Sequence, residues 1–325
     1  MKFRILGSSG LCVSAVGLGC MGITHASGAP MSKAEGTKVI REAYEMGYTF
    51  FDTAECYTGI YQDGSVAYNE EVVGEALRPI RDKVIIATKC GVQHGGDHLI
   101  LDSSPAAIRR SVEGSLRRLG IDSIDLYYQH RIDPKVEPEM VAETMADLIR
   151  EGKMKAWGIS EANEDYLRRA HAVCPVAAIQ NRYSMMARWY EKLFPVVEEL
   201  GIAYVAFSPM ANGFLTGRYT VDSKFEPGVD FRSMMPQYTK EGFEKGQKLL
   251  ELLKRMAEEK NATPAQISLA WMLCKKPYII PIPGSRKPSR LQENLGASEI
   301  ILSSDEIAMV DAALNTMDLP VFGGH

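Results

Sequence analysis

Eight short apolar, β-prone runs alternate with amphipathic helical patterns along the 325 residues, which predicts an α/β fold: a (β/α)8 TIM barrel with an N-terminal β-hairpin and a C-terminal helix, residues 1–325 forming one domain. A second observation agrees. Four of the runs stop on a polar group, at Asp52, Lys89, His130 and Ser160. A closed parallel barrel gathers the carboxyl ends of its strands around one mouth, so these four groups are expected to meet there.

Residues 2–6 and 11–13 flank Gly7-Ser8-Ser9-Gly10 and read as the hairpin, placed to plug the barrel bottom. Residues 15–19 form a first strand, and 32–46 an amphipathic helix that Gly47 stops. A strand ending at Asp52 leads through a polar loop to a helix over 69–77. The strand 84–89 is followed by a helix over 104–119, which starts Ser-Pro and ends at Gly120. Strand 124–130 precedes helix 136–150, 157–160 precedes 165–172, and 176–180 precedes 188–200. Strand 203–208 opens a long loop, 209–240, that holds Gly213, Gly217 and Gly228 and reads as a functional lid. Helices 243–260 and 264–274, an eighth strand 278–282, and helices 289–296 and 305–314 complete the chain.

A formal charge of −4 offers no basic field for nucleic acid, and no run of about 18 apolar residues offers a membrane span. The start of the chain reaches Gly7 and serines too early for a signal peptide. Six cysteines are scattered singly with no CxxC pair, which suits reduced thiols. These features read as a soluble, cytoplasmic protein, a monomer or small homo-oligomer, without a metal site.

Gly17-Leu18-Gly19-Cys20-Met21-Gly22 matches the G-x-G-x-x-G dinucleotide fingerprint and follows a strand signal. The fingerprint needs a helix that starts inside the motif and an acid closing the next strand, whereas here residues 23–30 carry no helical pattern and Glu42 falls within a helix. The bland reading is a glycine-rich loop that lets a ligand lie close to the backbone.

Asp52, Tyr57, Lys89 and His130, each at or just past a different strand end, resemble the catalytic tetrad of the aldo-keto reductases. Phe51-Asp52-Thr53-Ala54, Ala87-Thr88-Lys89, Asp125 to His130, Gly158-Ile159-Ser160-Glu161, Gln180-Asn181, Ser208-Pro209 and Pro283-Gly284-Ser285 with Arg290, Glu293 and Asn294 occur in that family's order over the whole chain. Gly213-Phe214-Leu215-Thr216-Gly217 and Gln129 to Pro134 are similar to the bacterial and plant branches near the potassium-channel β-subunits.

The residue types suit carbonyl reduction. A proton must reach the carbonyl oxygen, and Tyr57 can donate it, although a phenol of pKa about 10 is reluctant. An ammonium at roughly 4 Å and an effective dielectric of about 20 is worth about 4 kcal/mol, near three pKa units before desolvation is counted. Lys89 would supply that charge, Asp52 would hold it, and His130 would donate to the substrate oxygen. Taken singly, Asp52 also reads as a turn cap, Lys89 as a solvated strand end and His130 as a satisfied rim histidine.

The resemblance implies a small-molecule carbonyl substrate and NADPH (NADP) across the mouth. It assigns Gly19, Met21 and Asp52 to cofactor binding, Ser160 and Gln180 to the carboxamide, and Tyr183 to stacking on the nicotinamide ring. Ser208, Met210, Asn212, Leu215 and Gly217 would lie over the pyrophosphate, and Gly284, Ser285, Arg286, Arg290, Glu293 and Asn294 at the adenosine end. Arg290 beside a 2′-phosphate favours NADPH over NADH. Glu161 stands where many members have asparagine. Arg131, Trp189 and Phe214 are candidates for the substrate wall. Two alternatives stay open: an NADPH-binding redox sensor with slow turnover, and a metal-dependent hydrolase. The second fits poorly, because His25, His94, His98, His171 and His325 do not fall at strand ends.

Overall fold

The computed structural model describes residues 2–96, 98–227 and 230–323; Gly228 and His325 lie outside them. Strands β1 (Phe3–Ile5) and β2 (Cys12–Ser14) pair antiparallel as the expected hairpin. The barrel begins with β3 (Leu18–Gly19), α1 (Lys33–Met46) and β4 (Phe50–Asp52). Helix α1 starts at a capping box between Ser32 and Glu35 and stops at Gly47, whose φ of 114° is a conformation that favours glycine. The loop after β4 holds a hairpin, β5 (Thr58–Ile60) and β6 (Val66–Tyr68), that leads into α2 (Asn69–Leu77). After β7 (Ile85–Cys90) comes a second hairpin, β8 (Val92–His94) and β9 (Leu99–Leu101), then α3 (Pro105–Leu119). These hairpins are absent from the sequence reading, because three-residue strands with exposed Ile60 and Leu99 carry no burial pattern.

The alternation continues with β10 (Ile124–Gln129), α4 (Pro138–Arg150), β11 (Met154–Ser160), α5 (Glu164–Val173), β12 (Ala178–Arg182) and α6 (Phe194–Leu200). After β13 (Ala203–Phe207), the described residues of 208–239 carry short 3₁₀ turns and an isolated bridge from Asp230 to Ser27, up to α7 (Lys240–Glu259). Helix α7 starts three residues earlier than its apolar pattern, because the Thr239 hydroxyl caps it by accepting from the Gly242 N–H. Helix α8 (Pro264–Lys275), β14 (Ile279–Pro281), α9 (Pro288–Gly296) and α10 (Ser304–Leu314) follow.

Eight strands form one parallel sheet in the order β3-β4-β7-β10-β11-β12-β13-β14, a (β/α)8 TIM barrel. The seam closes where the Gly17 N–H donates to the Pro281 carbonyl at 2.9 Å and the Gly19 N–H to the Pro283 carbonyl at 3.4 Å. Only glycine permits this approach: a Cβ on Gly19 would lie 2.7 Å from the Ile282 oxygen, and one on Gly284 2.7 Å from the Gly19 oxygen. The Gly17-Leu18-Gly19 motif thus closes the barrel, and helix α1 begins only at Lys33, which excludes the dinucleotide fingerprint.

Side chains alternate between two cores. Phe50, Ala87, Leu126, Tyr128, Ala156, Ala178, Ala203, Val205 and Ile280 pack together inside the barrel, with Leu6 and Val13 of the hairpin beneath them. Phe51, Ile86, Tyr127, Trp157, Ile179 and Tyr204 pack outward with the helices. The period of two then decides the upper layers. Asp52, Lys89, His130, Ser160, Gln180, Arg182 and Phe207 all continue the inward series of their strands. None of the described helices is long and apolar enough to cross a membrane.

Candidate functional site

At the centre of the mouth, buried Lys89 forms an ion pair with Asp52, donates to the Thr53 carbonyl at 2.8 Å, and lies 3.3 Å from the Tyr57 hydroxyl. Gln180 donates to the other Asp52 oxygen at 2.7 Å, so the carboxylate is held from two strands. Burial works against the Lys89 ammonium, but Asp52 and Tyr57 outweigh it and raise its pKa. Burial likewise raises the Asp52 carboxyl, with Lys89 and Gln180 opposing. Tyr57 departs from the sequence expectation. Burial pushes its phenol above the usual tyrosine value, because desolvation exceeds the opposing pull of Lys89.

His130 meets Tyr57 edge-on, with ring centroids 5.7 Å apart, and its backbone N–H donates to the Cys90 carbonyl at 2.9 Å. Burial, aided by Lys89 and Arg131, holds its pKa well below the usual histidine value, so the imidazole is neutral. The Cys56 sulfur lies 3.5 Å from His130 Nδ1. Burial pushes the Cys56 thiol up to about 12, so it stays protonated and can donate to that nitrogen, leaving a proton on Nε2.

The mouth wall holds groups that sequence reasoning missed. His25 stacks on Tyr57 at 6.0 Å, with its Nδ1 2.7 Å from the Thr58 carbonyl, and His94 lies 4.9 Å from His25. Both come from loops and the second hairpin, so strand-end logic passes over them. Among the described residues no group of three or more His, Cys, Asp or Glu side chains is placed to hold a metal. Phe207 ends the inward series Ala203, Val205, Phe207 on β13 and lies under the guanidinium groups of Arg131, 5.8 Å away, and Arg182, 5.0 Å away. The alternation of β13 was the signal that would have found it.

Arg131 donates to the Ser160 hydroxyl at 3.0 Å and the His130 carbonyl at 2.6 Å, and pairs with Glu161 at 3.1 Å. Glu161 adopts φ 57°, and its N–H donates to the Asn181 side-chain oxygen at 2.9 Å. Two expected site residues lie elsewhere. Tyr183 is fully buried in the outer core, stacked on Trp271 at 5.4 Å and donating to Glu191 at 2.7 Å, because it falls one residue out of phase with Gln180 and Arg182. Phe214 packs beneath α7 against Tyr238, Phe243 and Gly246 rather than lining a substrate pocket. Trp189 is half-buried beside Tyr190, on the loop past β12, and Met21 is exposed on the turn past β3.

Beyond β13 the backbone bends sharply, with positive φ at Ser208, Ala211, Asn212 and Gly213. Non-glycine residues adopt this conformation at a cost, and loops so curled turn backbone N–H groups into concavities that suit anions. Two buried polar atoms nearby have no hydrogen-bond partner: Oδ1 of Asn212, and Nη2 of Arg286 past β14. The Met210 and Leu215 side chains are buried, and Gly217 ends the turn at φ 66°. Past β14, Arg286 donates to the Gly22 carbonyl and to the Ala29 carbonyl at 2.9 Å, tying two mouth loops together. Ser285 accepts from the Lys287 N–H, and Asn294 is buried. Glu293 accepts from Arg290 at 3.0 Å and Arg218 at 2.7 Å, which gathers two cations at one rim. Unpartnered polar atoms, a positive-φ concavity and paired arginines fit an extended, phosphate-bearing nucleotide.

Known proteins point the same way. The profile of the Aldo/keto reductase family matches residues 15–315. The probable aldo-keto reductase 1 of Glycine max is 38% identical over 323 residues, 98% of this chain and 90% of that protein. Aldo-keto reductase str7 of Strobilurus tenacellus is also 38% identical, over 95% of this chain and 91% of that one. Among solved structures, a glycerol dehydrogenase from Gluconobacter oxydans matches with a TM-score of 0.86 at 29% identity, covering 99% of this chain and 98% of that one. An aldo/keto reductase from Klebsiella pneumoniae, solved with NADP and acetate, gives 0.73 at 25% identity over 98% and 100% of the chains.

Proposed function

The chain belongs to the aldo/keto reductase family and is an oxidoreductase, and on that premise we propose that residues 1–325 act as one catalytic barrel that reduces aldehydes and ketones to alcohols with NADPH. The observation that carries this reading is the buried Lys89 ammonium held by Asp52 at 3.3 Å from the Tyr57 hydroxyl.

Tyr57 is the general acid. A phenol with a raised pKa still transfers its proton readily to a nascent alkoxide, which is far more basic, and Lys89 stabilises the phenolate left behind. Asp52, fixed by Gln180, keeps that ammonium in place. Neutral His130, with Nδ1 engaged by Cys56, presents its Nε2 proton to the carbonyl oxygen and orients the substrate. When bound, NADPH supplies hydride to the carbonyl carbon. Ser160 and Gln180 would hold its nicotinamide end, with Phe207 as the stacking ring in place of Tyr183. The curled loop 208–217 would take the pyrophosphate. Gly284, Ser285, Arg286, Arg290, Glu293 and Asn294 would take the adenosine end, where Arg290 suits a 2′-phosphate dianion.

The test is Tyr57→Phe assayed with 4-nitrobenzaldehyde and NADPH. Reduction should fall by about 10²- to 10⁴-fold while NADPH binding stays within about twofold. Undiminished turnover would show that another group is the acid. A wild-type rate far below about 1 s⁻¹ on a panel of aldehydes would favour a redox-sensing role.

A further inference from the structure

We propose that Arg182 is an anion-recognition residue in the substrate pocket, so that the carbonyl compounds this enzyme prefers carry a carboxylate. This deepens the reductase reading and rests on it.

Arg182 is the last residue of β12 and shares the inward face of Ala178 and Gln180. Two residues beyond Gln180 place it about 7 Å farther along the strand towards the opening, above the level of Asp52. Its guanidinium lies over the Phe207 ring at 5.0 Å and the Phe322 ring of the C-terminal tail at 5.6 Å. The Gly323 backbone also packs against the cation, since a Cβ there would lie 2.9 Å from Nε. Yet Nη1 is buried without a hydrogen-bond partner, and no acid is paired with Arg182 among the described residues. The acid nearest in charge, Glu161, is engaged by Arg131 at 3.1 Å.

A desolvated guanidinium without a hydrogen-bond partner is costly, and the two ring contacts offset only part of that cost. Burial lowers its pKa, with Glu161 opposing and the Arg131 charge adding to the fall. The residues assigned to the cofactor phosphates lie on other segments, 208–217 and 284–294, the first of which follows Phe207, the register partner of Arg182. What Arg182 lacks is a planar, monovalent anion that accepts along its edge, which describes a carboxylate. Arg131, Arg182 and Glu161 sum to a single positive charge at this wall, suited to a monoanion rather than a phosphate dianion.

The experiment compares 4-carboxybenzaldehyde with its methyl ester, both reduced with saturating NADPH. Wild-type enzyme should show kcat/KM at least about tenfold higher for the acid, and this ratio should fall to about one or below in Arg182→Met, with Arg182→Lys between. A wild-type ratio of one or less, or a ratio that Arg182→Met leaves unchanged, overturns the proposal. Loss of both activities in equal proportion makes Arg182 an anchor for the tail only, which also overturns it. A binding arm separates this failure from failure of the reductase reading. Titration calorimetry of 4-(hydroxymethyl)benzoate and its methyl ester into the NADP-loaded protein needs no turnover. Preferential binding of the acid, lost in Arg182→Met, supports the anion site even if neither aldehyde is reduced; equal binding of acid and ester refutes it.

Discussion

The Lys89 ammonium lies 3.3 Å from the Tyr57 hydroxyl and is also bonded to Asp52, the lysine and the carboxylate being buried and the tyrosine partly so. Removing the cation therefore strands a buried carboxylate. Lys89→Met should cost about 3–5 kcal/mol of stability, as other broken buried pairs do. In Lys89→Met/Asp52→Asn most of that loss should return in a denaturant titration while carbonyl reduction stays absent. Recovery of activity in the double variant would show that the cation has no catalytic part.

The acid form of Tyr57 should persist across neutral pH. Its pKa lies above the ordinary tyrosine value of 10.0, so the phenol is protonated throughout pH 6.5–9, and His130, depressed below 6.5, is neutral over the same window. Reduction measured as kcat/KM should be flat there, whereas alcohol oxidation, which needs the phenolate, should climb with pH. His130 also links pH to stability. A depressed folded-state pKa means the unfolded chain binds the extra proton, so this stability is intact above about pH 6.5 and lost below it. A reduction profile that falls between pH 7 and 8 would contradict both assignments.

Cys56 should set the His130 tautomer. Cys56→Ala removes a donor to Nδ1, and kcat/KM should drop by roughly 2- to 12-fold, the range of one modest hydrogen bond, with Cys56→Ser retaining most activity. Nitrogen-15 NMR of the imidazole gives an independent reading: the Nε2–H population should decrease in Cys56→Ala. An unchanged tautomer population there would leave Cys56 as mere packing.

Arg290→Met should weaken NADPH binding by roughly 10- to 150-fold, since hydrogen bonds to charged groups contribute about 1.5–3 kcal/mol, while NADH binding changes little. Fluorescence titration with the two cofactors measures this. Equal losses for both would remove the 2′-phosphate from the role given to Arg290.

Gly19→Ala inserts a methyl group 2.7 Å from the Ile282 oxygen. Because backbone rather than a flexible side chain receives it, the seam must open, at about 1–3 kcal/mol by analogy with overpacked cores. Thermal unfolding should register a lower Tm, whereas an unaltered Tm would show that the seam carries little of the stability.

Much of this was legible from the chain itself. Ser32, Ser104 and Thr263 cap helices where a hydroxyl precedes an apolar periodicity, and Gly47 and Gly120 end the first two. Asp52, Lys89, His130, Ser160 and Gln180 were visible because strand ends in a parallel barrel converge. Tyr183 was placed at the nicotinamide by resemblance alone, whereas parity decides whether a side chain faces the mouth or the helices, and one residue past Arg182 it faces the helices. Phe207 and Arg182 have the right parity and were passed over. His25 and His94 reach Tyr57 through loops and a short hairpin, where conformation depends on distant contacts and leaves no periodic trace.

The hairpin beneath the barrel binds the beginning of the polypeptide to its far end: Arg4 donates to the carbonyls of Leu273, Lys276 and Ile279, and Gly17 to that of Pro281. Arg4 and its partners stand 269 to 275 residues apart in sequence. A nascent chain therefore carries an open barrel edge until residues 273–281 have left the ribosome, so closure of the ring follows the folding of every earlier strand.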